Sequence, residues 1–405
     1  IEQLIQLASL ECGKTVDEAR AGVMKGAEVI EYGLSLQNLD QGGVLEVSRG
    51  VTCEVRREPL GVVAGITPFN FPAMVPMWLY PIAITIGNAF ILKPSEKVPL
   101  AAEYSGKLMI EAGYPPGVFT ILNGGRETVE ALVDHPDVAA IGFVGSTTIA
   151  KAVYARATGD GKRALCLGGA KNHLIVVPDA DEDVTVDGVT RSFTGCAGQR
   201  CMAASLMIAV GKADHLIDAI VERAGQMQLG RDMGAIIEKG AHDRLRKDLD
   251  KAVADGAKLV LDGRGVPAPE GFEGGYWLAP SILDHATPDM DCAATELFGP
   301  ILTILRVDTL DEALALQGKT PYGNAASVFT TRGDVARYVA EHAATGMVGV
   351  NIGVPVPREP FPFGGTKASK FGQGDITGAG GVDFWSQQKK ITTKWSLQPD
   401  ANWMS

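Results

Sequence analysis

A thiol that directly follows a guanidinium closes the small-residue segment Gly195-Cys196-Ala197-Gly198-Gln199-Arg200-Cys201. A cation beside a thiol favours the thiolate, the form that attacks carbonyl carbon, so Cys201 is a candidate nucleophile. On local sequence alone the same residue reads more readily as a buried structural cysteine. Attack on an aldehyde places negative charge on oxygen, which a side-chain amide and a backbone N–H can hold. Asn70 is the candidate amide, in Thr67-Pro68-Phe69-Asn70-Phe71-Pro72, although an Asn between prolines also suits a plain turn.

The elements around these residues indicate how they are positioned. Short apolar runs at Val62 to Ile66, Phe90 to Leu92, Phe119 to Leu122 and Ile141 to Val144 alternate with helical stretches, which predicts a parallel α/β sheet. Asn70 then lies just past a strand end, where α/β sheets build their sites. Lys93-Pro94-Ser95-Glu96 follows the next strand and offers an ammonium and a carboxylate, or simply a polar loop. Phe143-Val144-Gly145-Ser146-Thr147 can present backbone N–H groups to a phosphate. No GxGxxG fingerprint occurs, so a dinucleotide cannot be inferred from that motif.

Leu174 to Val177 reads as a further strand, and a second α/β unit begins near Thr194 to Met202. Two helices open the chain, the second with a capping-box pattern at Thr15 and Glu18, repeated at Thr309 and Glu312. Gly43 to Glu58 alternates as an antiparallel strand pair, Gly263 to Gly275 reads as a surface loop, and Lys389 to Trp395 as a terminal strand.

Composition narrows the function classes. The 405 residues are 46% hydrophobic and 21% charged, which excludes disorder. The net charge of -11 disfavours nucleic acid and anionic membrane as partners. The most apolar stretch, Phe71 to Ile86, is broken by three prolines and falls short of the roughly 18 to 20 residues that span a bilayer, so it reads as buried core. Six cysteines without a CxxC pair suggest neither a disulfide framework nor a metal site, and point to a reducing, cytoplasmic location. The chain opens on Ile1 with no signal-peptide pattern, which gives the expectation that it starts inside a longer protein whose cofactor unit is incomplete here.

Five segments together resemble the aldehyde dehydrogenase superfamily, in its order and near its spacings, over nearly all of the chain. They are Phe69-Asn70-Phe71-Pro72, Lys93-Pro94-Ser95-Glu96, Phe143-Val144-Gly145-Ser146, Gly198-Gln199-Arg200-Cys201 and Glu296-Leu297-Phe298-Gly299-Pro300. The resemblance implies Cys201 as nucleophile, with Asn70 and the Cys201 N–H as oxyanion donors. It implies that NAD is held by Thr67, Phe69, Lys93, Glu96, Lys97, Ser146, Gly168, Glu296 and Phe298, with no metal. The implied architecture is a Rossmann-type cofactor domain (1–40 and 60–171), an α/β catalytic domain (172–372), and a small β oligomerisation arm with a C-terminal tail (41–59 and 373–405). The arm is expected to pair with a neighbour's tail in a homodimer or homotetramer.

One departure narrows the activity. Where most relatives carry a general-base glutamate ahead of Gly-Gly-Lys, this chain has Leu167-Gly168-Gly169-Ala170-Lys171-Asn172-His173. An apolar side chain cannot take a proton from water, so hydrolysis should lose about a hundredfold to ten-thousandfold. With Arg200-Cys201-Met202-Ala203 and the tail Gly381-Val382-Asp383-Phe384-Trp385, this is similar to the branch that passes its acyl group to coenzyme A from malonate or methylmalonate semialdehyde. That branch is thought to hold the substrate carboxylate with two arginines. Arg200 matches one, and Lys25 stands at the other, keeping the charge but losing the bidentate fork.

Overall fold

The computed structural model describes residues 1–39 and 42–395; positions 40, 41 and 396–405, which fall inside the expected cofactor, arm and tail ranges, lie outside the described residues. Two sheets organise the chain. In the first, the strands Val62–Ile66, Ala89–Lys93, Phe119–Ile121, Val138–Val144 and Arg163–Leu167 run parallel. Val62–Ile66 lies between Ala89–Lys93 and Val138–Val144, so the order of connection reverses there and a crevice opens beyond its C-terminal end. A short antiparallel strand, Lys370–Phe371, closes the sheet against Arg163–Leu167.

The second sheet has seven strands, with His173–Val176 and Leu206–Val210 at its centre. All its pairings are parallel except Lys258–Leu261 on Ser281–Asp284. Its central strands are buried on both faces and read as continuous apolar runs rather than alternating ones.

Local signals in the sequence are realised. Thr15 and Glu18 exchange hydrogen bonds ahead of the helix Val16–Leu39 (3.1 and 3.3 Å), and Thr309 with Glu312 caps Leu310–Lys319 in the same way. The apolar stretch at Phe71 becomes the helix Met74–Thr85, which is buried along most of its length and packs against Val16–Leu39. No helix among the described residues is long and apolar enough to cross a membrane.

The arm forms as the strands Gly43–Ser48 and Val51–Pro59. The expected pairing with a neighbour's tail is corrected: Ser386–Lys394 of the same chain adds to the arm over nine residues, from Ser386 opposite Pro59 to Lys394 opposite Val51. The reason is anchoring. Trp385 is fully buried, its ring 5.6 Å edge-on from Phe90, and it fixes the start of the tail at the base of its own arm. The outer strand Gly43–Ser48 remains exposed along its whole length.

Candidate active site

The helix Glu182–Thr194 is started by Asp181, whose carboxylate accepts from Val184 N, and it ends directly in the thiol loop. There Cys196, Ala197 and Gly198 follow one another with φ of 54°, 52° and 69°. Two consecutive non-glycine residues in this region cost roughly 1–2 kcal/mol each. Gly198 cannot be replaced, since a Cβ would stand 2.1 Å from Gly299 O. That close approach ties the thiol loop to the segment carrying Glu296 and Phe298.

Cys201 is half-buried, and its carbonyl accepts from Asn172 Nδ2 at 2.7 Å and Asn324 Nδ2 at 3.0 Å. Burial pushes its thiol up to about 12, and Glu296 adds to the rise; the N–H groups of Cys201 and Met202 and the charge of Arg200 lower it by less. Arg200 favours the thiolate, as expected, but its effect is the smaller one. Desolvation outweighs the cation, and Arg200 Nη2 donates to the carbonyls of Arg191 and Ser192 at the end of the preceding helix.

Asn70 is buried, and one N–H of its amide donates to Gln199 O at 2.9 Å, which brings it beside the thiol loop from 129 residues away in sequence. Its backbone carbonyl accepts from Lys14 Nζ at 2.6 Å, while that ammonium lies 3.9 Å over the Phe71 ring. Cys12 Sγ donates to Phe69 O at 3.0 Å. The end of the first helix thus clamps the Phe69–Phe71 turn from behind.

Two cavities meet at Cys201. One, of about 560 Å³, is lined by Asn70, Thr67 and Phe69 on one wall. Lys93, Glu96 and Lys97 lie at one end, and Ser146, Gly168, Glu296 and Phe298 complete it. Lys93 Nζ bonds Glu96 at 3.1 Å, and Lys97 bonds Glu238 at 2.6 Å. Ser146 precedes the helix Thr147–Gly159 and makes no side-chain cap, which leaves its hydroxyl and the first-turn N–H groups to an anion. Phe298, at φ 56°, sets its ring 5.9 Å edge-on to Phe69.

Glu296 Oε1 accepts from Ala170 N at 3.0 Å, and burial raises its carboxyl to about 7. A Cβ on Gly169 would lie 2.2 Å from Glu296 Oε2, and one on Gly168 3.0 Å from Ala368 O, so the two glycines make the room. A basic end, a bare helix start and a carboxylate near the thiol fit a dinucleotide laid from adenosine to nicotinamide.

The second cavity, about 360 Å³, is lined by Phe71, Trp78, Met202 and Ile352 around Cys201, with Lys25, Arg200 and Arg358 as its cations. Lys25 is not free: its ammonium bonds Glu28 at 2.9 Å and Glu359 at 3.1 Å. Leu167 is buried at the end of its strand and packs into the core of the first sheet. Lys171, fully buried, donates to Cys292 O at 2.8 Å and is lowered to about 8 by desolvation.

Sequence reasoning missed Lys14, Asn324, Glu28, Glu359 and Arg358. Asn172 and Gln199 sat inside segments already singled out, but nothing along the chain pairs the others with Cys201 or its cavities. Among the described residues no group of three or more His, Cys, Asp or Glu side chains could hold a metal.

A crevice at the reversal point of a parallel sheet, opening onto a buried thiol beside an amide donor, defines a carbonyl-oxidising class. The chain belongs to the aldehyde dehydrogenase family, whose model matches residues 1–391. It is 42% identical over 402 residues to malonate-semialdehyde dehydrogenase 2 of Geobacillus kaustophilus, covering 97% of this chain and 83% of that one. It is 43% identical over 406 residues to the mitochondrial acylating methylmalonate-semialdehyde dehydrogenase of Arabidopsis thaliana, covering 98% and 67%. A Sinorhizobium meliloti 1021 protein solved in complex with NAD superposes with a TM-score of 0.96 at 43% identity, covering 98% and 82%.

Proposed function

We propose that this protein oxidises malonate or methylmalonate semialdehyde with NAD and passes the acyl group to coenzyme A, releasing acetyl-CoA or propionyl-CoA and carbon dioxide. The observation that carries the acylating part is Leu167: the position a water-activating carboxylate would occupy holds a buried alkyl group, while Cys201 and Asn70 are otherwise assembled. The names of the relatives point the same way.

The thiol of Cys201 adds to the aldehyde carbon. Asn70 Nδ2 has a second N–H beyond the one given to Gln199, and with the Cys201 N–H it receives the oxyanion. Glu296, held near neutrality in the same cavity, is the group suited to take the thiol proton. Bound NAD would supply the hydride acceptor, and loss of hydride and the hydroxyl proton from the adduct would convert it to a thioester on Cys201. Lys93, Glu96 and Lys97 hold the adenosine end, Thr67, Phe69, Ser146 and Gly168 line its path, and Glu296 with Phe298 frames the nicotinamide end. Leu167 offers water no base, which favours a thiol as the acceptor of the thioester; Glu296 turning to activate water is the hydrolytic alternative.

Residues 1–40 and 60–171 serve as the cofactor domain and 172–372 as the catalytic domain, in a cytoplasmic homodimer or homotetramer that covers the exposed edge Gly43–Ser48. Rapid mixing with the semialdehyde and NAD should give one burst of NADH without coenzyme A and steady turnover only with it. Full-rate turnover without any thiol acceptor would reject the acylating reading in favour of a hydrolytic aldehyde dehydrogenase.

A further inference from the structure

The cavity on the substrate side of Cys201 holds three cations, and they are not equally available. Lys25, on the helix Val16–Leu39, faces two carboxylates: Glu28 at 2.9 Å and Glu359 at 3.1 Å. The Lys25 and Glu359 side chains are only 16% and 8% exposed. A carboxylate arriving there meets two negative charges already in place, and displacing Glu359 would leave a largely buried charge without its partner. Arg200 gives Nη2 to the carbonyls of Arg191 and Ser192.

Arg358 differs from both. It follows the strand Met347–Val350 in the loop that lines the cavity, its side chain is 80% exposed, and it has one ion pair among the described residues, a long 3.5 Å contact to Glu28. Such a contact is worth little in water, so the guanidinium fork is free to meet a second carboxylate in bidentate fashion. The neighbouring Glu359 cancels Lys25, which moves the effective positive charge of the cavity from the helix to the loop.

We propose that Arg358, rather than Lys25, receives the distal carboxylate of the aldehyde, and that Glu28 competes with the substrate for it. This rests on the semialdehyde reading above. The test compares kcat/KM for malonate semialdehyde with that for propanal, which lacks the carboxylate, in the full-length protein. Arg358→Met should lower this ratio about ten- to a hundredfold through KM, the range for a hydrogen-bonded charge. Arg358→Lys should lie between, and Glu28→Gln should raise the ratio. An exposed substitution of this kind should leave the melting temperature near that of the parent.

The proposal is overturned if the parent favours the semialdehyde and Arg358→Met keeps that preference, above all if Lys25→Met abolishes it. A parent that shows no preference for the semialdehyde over propanal would refute the semialdehyde reading itself.

Discussion

Replacing Asn70 by alanine isolates the oxyanion donor from the rest of the site. The amide is buried, donates one N–H to Gln199 O at 2.9 Å, and hangs from a turn clamped through the Asn70 and Phe69 carbonyls by Lys14 and Cys12. Those clamps use backbone atoms, so the turn should survive the substitution. Two effects then separate by size. The lost bond to Gln199 costs roughly 1 kcal/mol of stability, small beside the 5–15 kcal/mol of a folded domain. The lost donor acts where charge develops, and removing such a group slows acylation by about 10² to 10³, or about 3–4 kcal/mol in the barrier. Stopped-flow NADH formation without coenzyme A reads the acylation step directly. The burst rate should fall by that factor while the NAD concentration giving half-maximal burst rate changes little, since Asn70 is not among the residues assigned to hold NAD. A burst within tenfold of the parent would remove Asn70 from the chemistry and make the bond to Gln199 its whole role.

Because burial holds the Cys201 thiol at about 12, alkylation of the protein without cofactor by iodoacetamide should accelerate close to tenfold per pH unit from 7 to 9; a plateau below pH 8 would show a thiolate that this environment should not allow. Glu296 is raised to about 7 from an ordinary 4.5, so the folded state holds its proton more tightly than the unfolded one, and the stability this contributes is lost as pH rises from about 4.5 through 7. Glu296→Gln should therefore gain melting temperature over the parent progressively across that window, and a constant difference would contradict the burial argument. A Cβ on Gly169 would meet Glu296 Oε2 at 2.2 Å, and overpacking of this kind typically costs 1–3 kcal/mol, so Gly169→Ala should weaken NAD binding about tenfold or more in a fluorescence titration. Unchanged binding would mean that Glu296 does not touch the cofactor.

What the sequence determined by itself was local or compositional. The apolar runs fixed where the parallel strands lie, and Thr15 with Glu18 and Thr309 with Glu312 marked helix starts, because capping and periodicity act within a few residues. The family resemblance carried Cys201, Asn70 and the cofactor residues as a set, and Leu167 was visible as a missing carboxylate. Tertiary structure decided the rest. Along the chain Lys25 is a lone cation, and the fold sets Glu359, 334 residues away, beside it; Arg200 lowers the Cys201 thiol as its charge implies, but burial of the sulfur is the larger effect. Lys14 and Asn324 carry no signal along the chain, and the tail met its own arm where a neighbour's was expected. Charge balance, desolvation and long-range pairing depend on which groups share a small volume, and that is set only when the two sheets close around the thiol.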